Sequence, residues 1–338
     1  MLSRVADNIY WLNRYIERAE NVGRFIDVNL HLMLDLPSET NQQWEPLVNT
    51  TGDRAIFEEN FDEYTRENVI QFLTFDPDYP SSILGCVHRA RENARSVREV
   101  ISSEMWEQVN RFYLMVREAA FSDFDVMFEP HDFFTRVKMA GHLFAGVTDA
   151  TMAHGEAWHF GRLGRFLERA DKTSRILDVK YFIILPDVSY VGTPYDNLQW
   201  AALLRSASAL EMYRKKCGRI GPRRVVDFLI HDAEFPRAIR YCVSRAEESL
   251  RAITGTPPGS YGNRAEQLLG RLRAELDFAS TEEIMTSGLH EFLDGLQANL
   301  NDVGMAIQEA FFSLEPSPSL DEDAEGAAQR QLQEQVVL

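Results

Sequence analysis

An internal repeat constrains this chain more than any other feature of its sequence. Residues 12–28, moved forward by 151 positions, fall on 163–179 with eight of 17 identities, among them Arg14/Arg165, Glu17/Glu168, Arg18/Arg169, Arg24/Arg175 and Asp27/Asp178. Residues 69–95, moved by 156, fall on 225–251 with 12 of 27, including Pro80/Pro236, Cys86/Cys242, Arg89/Arg245, Glu92/Glu248 and Arg95/Arg251. An offset of 159 brings His131-Asp132-Phe133 onto His290-Glu291-Phe292. The offset grows in small steps, as insertions in surface loops would make it. We therefore read the chain as a tandem duplication of one supersecondary unit, about 1–152 and 153–315, forming one body with a pseudo-twofold axis.

Each half carries helical periodicity. In 3–34, Ile9, Leu12, Ile16, Ala19, Gly23, Ile26 and Leu30 recur at spacings of three and four. Similar patterns predict helices near 42–57, 65–74, 80–101, 104–121 and 131–151. Their counterparts lie near 155–181, 197–217, 223–231, 236–253, 264–278 and 281–312. Pro80 and Pro236 suit a first helical turn, where the missing N–H has no intrahelical partner, and Ser103 suits a cap. No run alternates polar and apolar over strand length, so the predicted fold is an all-α multi-helix bundle of about twelve helices. Segments 186–194 and 254–263 read as loops. The polar tail 316–338 reads as disordered.

Charge narrows the function classes. Lys plus Arg number 35 against 52 Asp plus Glu, a formal net charge of −17. That balance opposes binding to the nucleic-acid backbone. No apolar stretch approaches the length of a membrane span, and the amino-terminal residues carry no signal-peptide pattern. Three scattered cysteines, Cys86, Cys217 and Cys242, give no disulfide framework and point to the cytoplasm.

The repeated residues are unusual in being charged. Arg14, Glu17, Arg18, Arg24 and Asp27 cover roughly half the circumference of the first helix, and Arg165, Glu168, Arg169, Arg175 and Asp178 repeat the set. Arg89, Glu92 and Arg95, with Arg245, Glu248 and Arg251, add a second charged helix to each half. Two readings stay open. One is a buried ion-pair lattice, with Glu17 near Arg14, Glu20 near Arg24, and Asp27 reaching back to Arg24. The other is an anion pocket in which guanidinium forks hold a carboxylate or phosphate. Acid–base catalysis by Glu17 or Glu168 is a lesser alternative, since it needs a shifted pKa.

Other chemistry is thinly represented. Glu156-Ala157-Trp158-His159 matches a di-iron ligand pattern but has no second copy, so no metal or cofactor is expected. His131 and His290 suit packing or capping, and Cys86 and Cys242 suit small buried positions. Gly-rich phosphate loops, zinc-like cysteine spacings and nucleophile elbows are missing.

Arg14-Tyr15-Ile16-Glu17-Arg18-Ala19-Glu20 and Arg165-Phe166-Leu167-Glu168-Arg169-Ala170-Asp171 resemble the Glu-Arg signature of the bacterial alpha-E domain family. The resemblance runs on through Thr51-Gly52-Asp53, Ala90-Arg91-Glu92-Asn93-Ala94-Arg95, Phe235-Pro236-Arg237 and Gly288-Leu289-His290-Glu291-Phe292. It implies a helical fold and a gene beside, or fused to, that of a circularly permuted ATP-grasp protein, often near a transglutaminase-like cysteine peptidase. ATP-grasp enzymes join a carboxylate to an amine, so the implied role is an accessory, non-catalytic subunit of a peptide- or amide-forming system. Two alternatives stand beside it: an enzyme holding a carboxylate-bearing peptide product in an Arg/Glu pocket, and a scaffold or carrier-binding module unrelated to ligation.

Overall fold

The computed structural model describes residues 1–35, 44–121, 126, 129–183 and 194–313. The tail and most of the 186–194 loop lie outside them. Among the described residues there are fifteen α-helices and no strand. Helix α1 (Ser3–Asp35) is followed by α2 (Glu45–Thr51), α3 (Arg54–Asn60), α4 (Arg66–Phe75), α5 (Ile83–Ser96), α6 (Ser103–Phe121) and α7 (Pro130–Thr151). The series continues with α8 (Glu156–Ile183), α9 (Pro194–Ser206), α10 (Leu210–Cys217), α11 (Pro222–His231) and α12 (Ile239–Thr254). Last come α13 (Arg264–Phe278), α14 (Thr281–Ser287) and α15 (Leu289–Ile307), which ends in a π-helical turn, Gln308–Phe312.

The longest helices, α1 and α8, lie at the centre. Helix α1 packs on α5, α7 and α8, while α8 packs on α1, α12 and α15. Short helices cross over: α2 lies on α8, and α9 lies on α1. Contacts between the central pair advance together, from Tyr10 against Gly164 to Glu17 against Arg169, so both helices run in the same direction. Ile9, Leu12 and Ile16 of α1 join Leu163 and Leu167 of α8 in one apolar core. That core continues outward to Phe112 and Phe133 on one side and to Leu272 and Leu300 on the other.

Glycine permits this close approach. A Cβ on Gly164 would stand 2.5 Å from the Tyr10 carbonyl oxygen, and one on Gly161 would stand 2.6 Å from the Asn13 amide nitrogen. Side chains at both positions would push the central helices apart.

Where helix boundaries differ from the sequence reading, backbone chemistry explains the difference. The helix expected over 42–57 breaks at Gly52, whose φ of +81° caps α2 in the left-handed region. That over 197–217 breaks near Ser208, at φ +50°. That over 281–312 breaks at Gly288, at φ +110°. Pro80 and Pro236 precede their helices instead of occupying a first turn. In the first case Ser82 is the cap, its hydroxyl accepting from the Gly85 amide at 3.0 Å. Likewise Ser102, not Ser103, accepts from the Met105 amide at 3.1 Å, so the cap lies one residue earlier than expected. Residues 152–155 separate α7 from α8.

Candidate functional site

The charged faces of α1 and α8 meet each other. Glu168 is wholly buried and accepts from Arg14 Nε at 2.8 Å and from Arg18 Nε at 2.7 Å. Arg18 Nη2 adds a second bond to it at 3.0 Å, and Lys172 Nζ lies 3.6 Å away. The reverse arrangement holds Glu17, which is 3% exposed: Arg169 donates to both its oxygens, at 2.8 and 2.7 Å. Each Glu-Arg dipeptide therefore offers its glutamate to the other's arginine.

A third element closes the Glu17 side. Arg237, in the turn before α12, donates to Glu17 at 3.1 Å, to the Asn21 side-chain oxygen at 3.0 Å and to Glu20 at 2.6 Å. Glu20 also takes Arg24 and stands 3.0 Å from His142 Nε2. On the Glu168 side, Lys172 bonds Asp171 at 3.0 Å and Arg175 bonds the same carboxylate at 3.0 Å. The residue 151 positions before Lys172 is Asn21, so the extra cation comes from α8 on one side and from the 236–238 turn on the other.

Two of the expected pairings differ. Glu17 pairs with Arg169 and Arg237 rather than Arg14, because the α1–α8 contact puts the partner across the interface instead of along the helix. Asp27 does not return to Arg24; it accepts from Lys138, and His131 Nδ1 lies 2.6 Å away. Asp178 and His290 repeat that histidine contact at 2.6 Å. The Glu20–Arg24 pair forms as expected. Sequence reasoning passed over Arg237 as a lattice member: it sits in a turn with no periodicity, and its counterpart at the 156 offset is Ser81.

Burial and charge act against each other on these groups. Desolvation raises the Glu168 carboxyl, but Arg18, Arg14 and Lys172 outweigh it and hold the group well below the usual carboxylate range. Burial likewise raises Glu17, and Arg169 with Arg237 bring it below the ordinary value. Glu20 is pulled well below by Arg237 and Arg24 despite its burial. Both motif glutamates are thus ionised and saturated with donors, a poor starting point for general acid–base chemistry. Arg24 departs from the pattern, burial and Arg237 lowering it and its buried Nε lacking a partner, and so does Arg165. The buried Nε of Arg165 has no hydrogen-bond partner, and burial together with Arg169 lowers its pKa to about 10.

The outer charged helices are wetter. Glu92 pairs with Arg91 at 3.0 Å and with Arg95 at 2.5 Å. Glu248 pairs with Arg245 at 2.7 Å and with Arg162 at 3.2 Å. Arg251 bonds Glu247 at 2.9 Å and the Pro257 carbonyl at 2.8 Å. Arg89 has no ion pair among the described residues; its guanidinium lies 6.0 Å from the Tyr15 ring, on the wall of an open cleft of about 820 Å³ between α1, α5 and α6. Cys86 and Cys242 are buried, their thiols pushed up to about 12 by desolvation, and they donate to the carbonyls of Pro80 and Pro236.

One group of metal-type donors occurs among the described residues: Asp27, His31 and His131, whose ligand atoms lie within 4.8 Å of one another. Lys138 holds the second oxygen of Asp27, and its ammonium charge opposes a divalent ion there. Glu156 and His159 do not belong to such a group.

A family model described as a predicted alpha-helical domain with a conserved ER motif matches residues 1–312. The chain belongs to the Alpha-E family. The ER dipeptide stands twice in this Alpha-E chain, as Glu17-Arg18 and Glu168-Arg169. Among curated relatives, uncharacterized protein Mb2597 of Mycobacterium bovis is 24% identical over 328 residues, covering 89% of this chain and 36% of its own length. Uncharacterized protein Rv2567 of Mycobacterium tuberculosis is 23% identical over the same shares. The Alpha-E chain thus spans about a third of the length of these relatives. No solved structure gives a significant match. Among the described residues no helix is long and apolar enough to cross a membrane.

Proposed function

We propose that this Alpha-E chain is a non-catalytic helical subunit that docks to an ATP-grasp amide ligase in the cytoplasm and organises it, with a transglutaminase-like peptidase as a further partner of the system. The observation that carries this reading is the saturation of Glu17 and Glu168 by arginines from the facing helix. Carboxylates spent on holding two helices together are structural groups, and an Alpha-E unit built on them works as a rigid platform. The length of the mycobacterial relatives agrees with this, since there the region similar to this chain forms part of a longer polypeptide.

The same reading takes residues 1–315 as one domain made of two copies about a pseudo-twofold axis. Reciprocal Glu–Arg pairing, the repeated Asp–His contacts and the crossed short helices support it. The facing Glu-Arg motifs of α1 and α8 as a substrate pocket have less support, because Arg14, Arg18 and Arg169 are committed to internal carboxylates.

Co-expression with the cognate ATP-grasp protein tests the proposal. We expect the two to co-purify as a complex of fixed stoichiometry, with ATP turnover by the ligase changed when the Alpha-E chain is present. Separate elution together with unchanged turnover would overturn it.

A further inference from the structure

The cleft between α1, α5 and α6 has the chemistry of a ligand site that the ion-pair lattice does not use. From α1 it takes Asp7, Trp11 and Tyr15, spaced by single helical turns; from α5, Arg89; from α6, Tyr113 and Arg117. Its volume of about 820 Å³ lies in the range of small-ligand pockets. Asp7 Oδ1 is shut off from solvent without a hydrogen-bond partner, while Trp11 hydrogen-bonds the same carboxyl group. Arg89 and Arg117 have no carboxylate partner among the described residues. The two charges are separated: eight residues of α1 place Asp7 about 12 Å from Tyr15 along the helix axis, and Tyr15 is where Arg89 stands.

The second half carries different contacts at the positions 151 and 156 residues on. Arg162, at the place of Trp11, lies 5.3 Å from both the Trp158 and Phe166 rings and donates to Ser249 at 3.1 Å and Glu248 at 3.2 Å. Tyr241 stands where the first half has Gly85, its ring 5.8 Å from Phe166. Ser249 and Glu248 correspond to Asn93 and Glu92, which line the open cleft. Where the second half sets a hydrogen-bonding cation and a ring, the first half has an open cleft.

An acceptor at one end, a guanidinium at the other and aromatic faces between them suit a molecule with an amine, a carboxylate and a body of a few atoms per side. At about 3.5 Å per extended residue, two or three residues cover about 7 to 10 Å, and a hydrogen bond of about 3 Å at each end makes up the rest. We propose that this cleft binds short peptides of two or three residues, the free amino group on Asp7, the carboxylate on Arg89 and the side chains against Trp11, Tyr15 and Tyr113. The proposal stands on the cleft alone; the test needs no ligase, so its failure and that of the docking reading are distinguishable.

The test is titration calorimetry of the full chain with Ala-Phe-Ala, Ala-Leu-Ala, Ala-Glu-Ala and Ala-Lys-Ala, each also as its N-acetyl and its C-amide form. At least one free tripeptide is expected to bind with Kd below about 1 mM, and blocking either end should weaken it at least tenfold. Asp7→Asn should weaken the free peptide similarly but leave the acetylated form unchanged. Arg89→Gln should do the same for the amidated form. The blocked peptides keep the test independent of any folding defect in a variant. No binding by any free tripeptide, affinity indifferent to both blocked ends, or loss on amidation alone, which marks a simple anion site, would overturn the proposal.

Discussion

Glu168 has no exposed surface and faces three cations, so its replacement by glutamine would leave Arg14, Arg18 and Lys172 without their shared counter-charge. Stranding buried charge in this way costs about 3–5 kcal/mol, and Glu168→Gln should lower the urea midpoint accordingly. The pH dependence follows from the same residues. Glu17, Glu20 and Glu168 have folded values below the ordinary 4.5. Their contribution is full above that pH and is lost as the pH falls through the lower folded values. Stability should therefore decline on acidification below about pH 4.5, and more shallowly in Glu168→Gln; an equal decline in both proteins would contradict this. Arg165 should behave oppositely to Arg14. Burial and its neighbour Arg169 act against its charge at neutral pH, so Arg165→Met is expected to keep or raise the melting temperature. Arg14→Met, which removes a donor from Glu168, should lower it. Which residues carry charge was legible in the sequence. Their partners were not, because helical spacing ranks neighbours along one helix and says nothing of the helix across the interface; Arg237, in a turn, left no periodic trace.

At the scale of the helices, the contact between α1 and α8 rests on small residues as much as on charge. Gly164→Leu should destabilise by at least the 1–3 kcal/mol typical of overpacking, since its side chain would meet the Tyr10 backbone. Gly146→Ala, inside α7 with nothing within 4 Å of where the added methyl would stand, should instead be neutral or stabilise by up to about 1 kcal/mol. Thermal melts of the two variants separate helix propensity from interface packing. The apolar stripe of 3–34 announced α1 directly. The breaks at Gly52, Ser208 and Gly288 were harder to read, because each interrupts a pattern that stays helical on both sides. Glycine in a helix-like run can mark a cap, a close approach or nothing at all, and only the neighbours decide which.

For the whole molecule, the crossed packing of α2 on α8 and α9 on α1 means that neither half keeps its partners alone. Residues 1–152 expressed by themselves would uncover the apolar α1 face that packs on α8 and strand Glu17 without Arg169 and Arg237. We expect that fragment to show no cooperative melt and poor amide dispersion by NMR. Mixing it with residues 153–315 should restore both; a cooperative transition in the isolated fragment would show that the halves are independent.

The reciprocal glutamate–arginine exchange ties positions that lie some 150 residues apart in the chain. A change at 17 is felt at 169, and one at 18 is felt at 168. Swapping charge at one end alone places like charges face to face, whereas Glu17→Arg made together with Arg169→Glu restores that one attraction while setting the new arginine against Arg237. Because loss of either member strands the other, both couples should be retained together in diverged sequences, in keeping with the conserved ER motif by which the family is described.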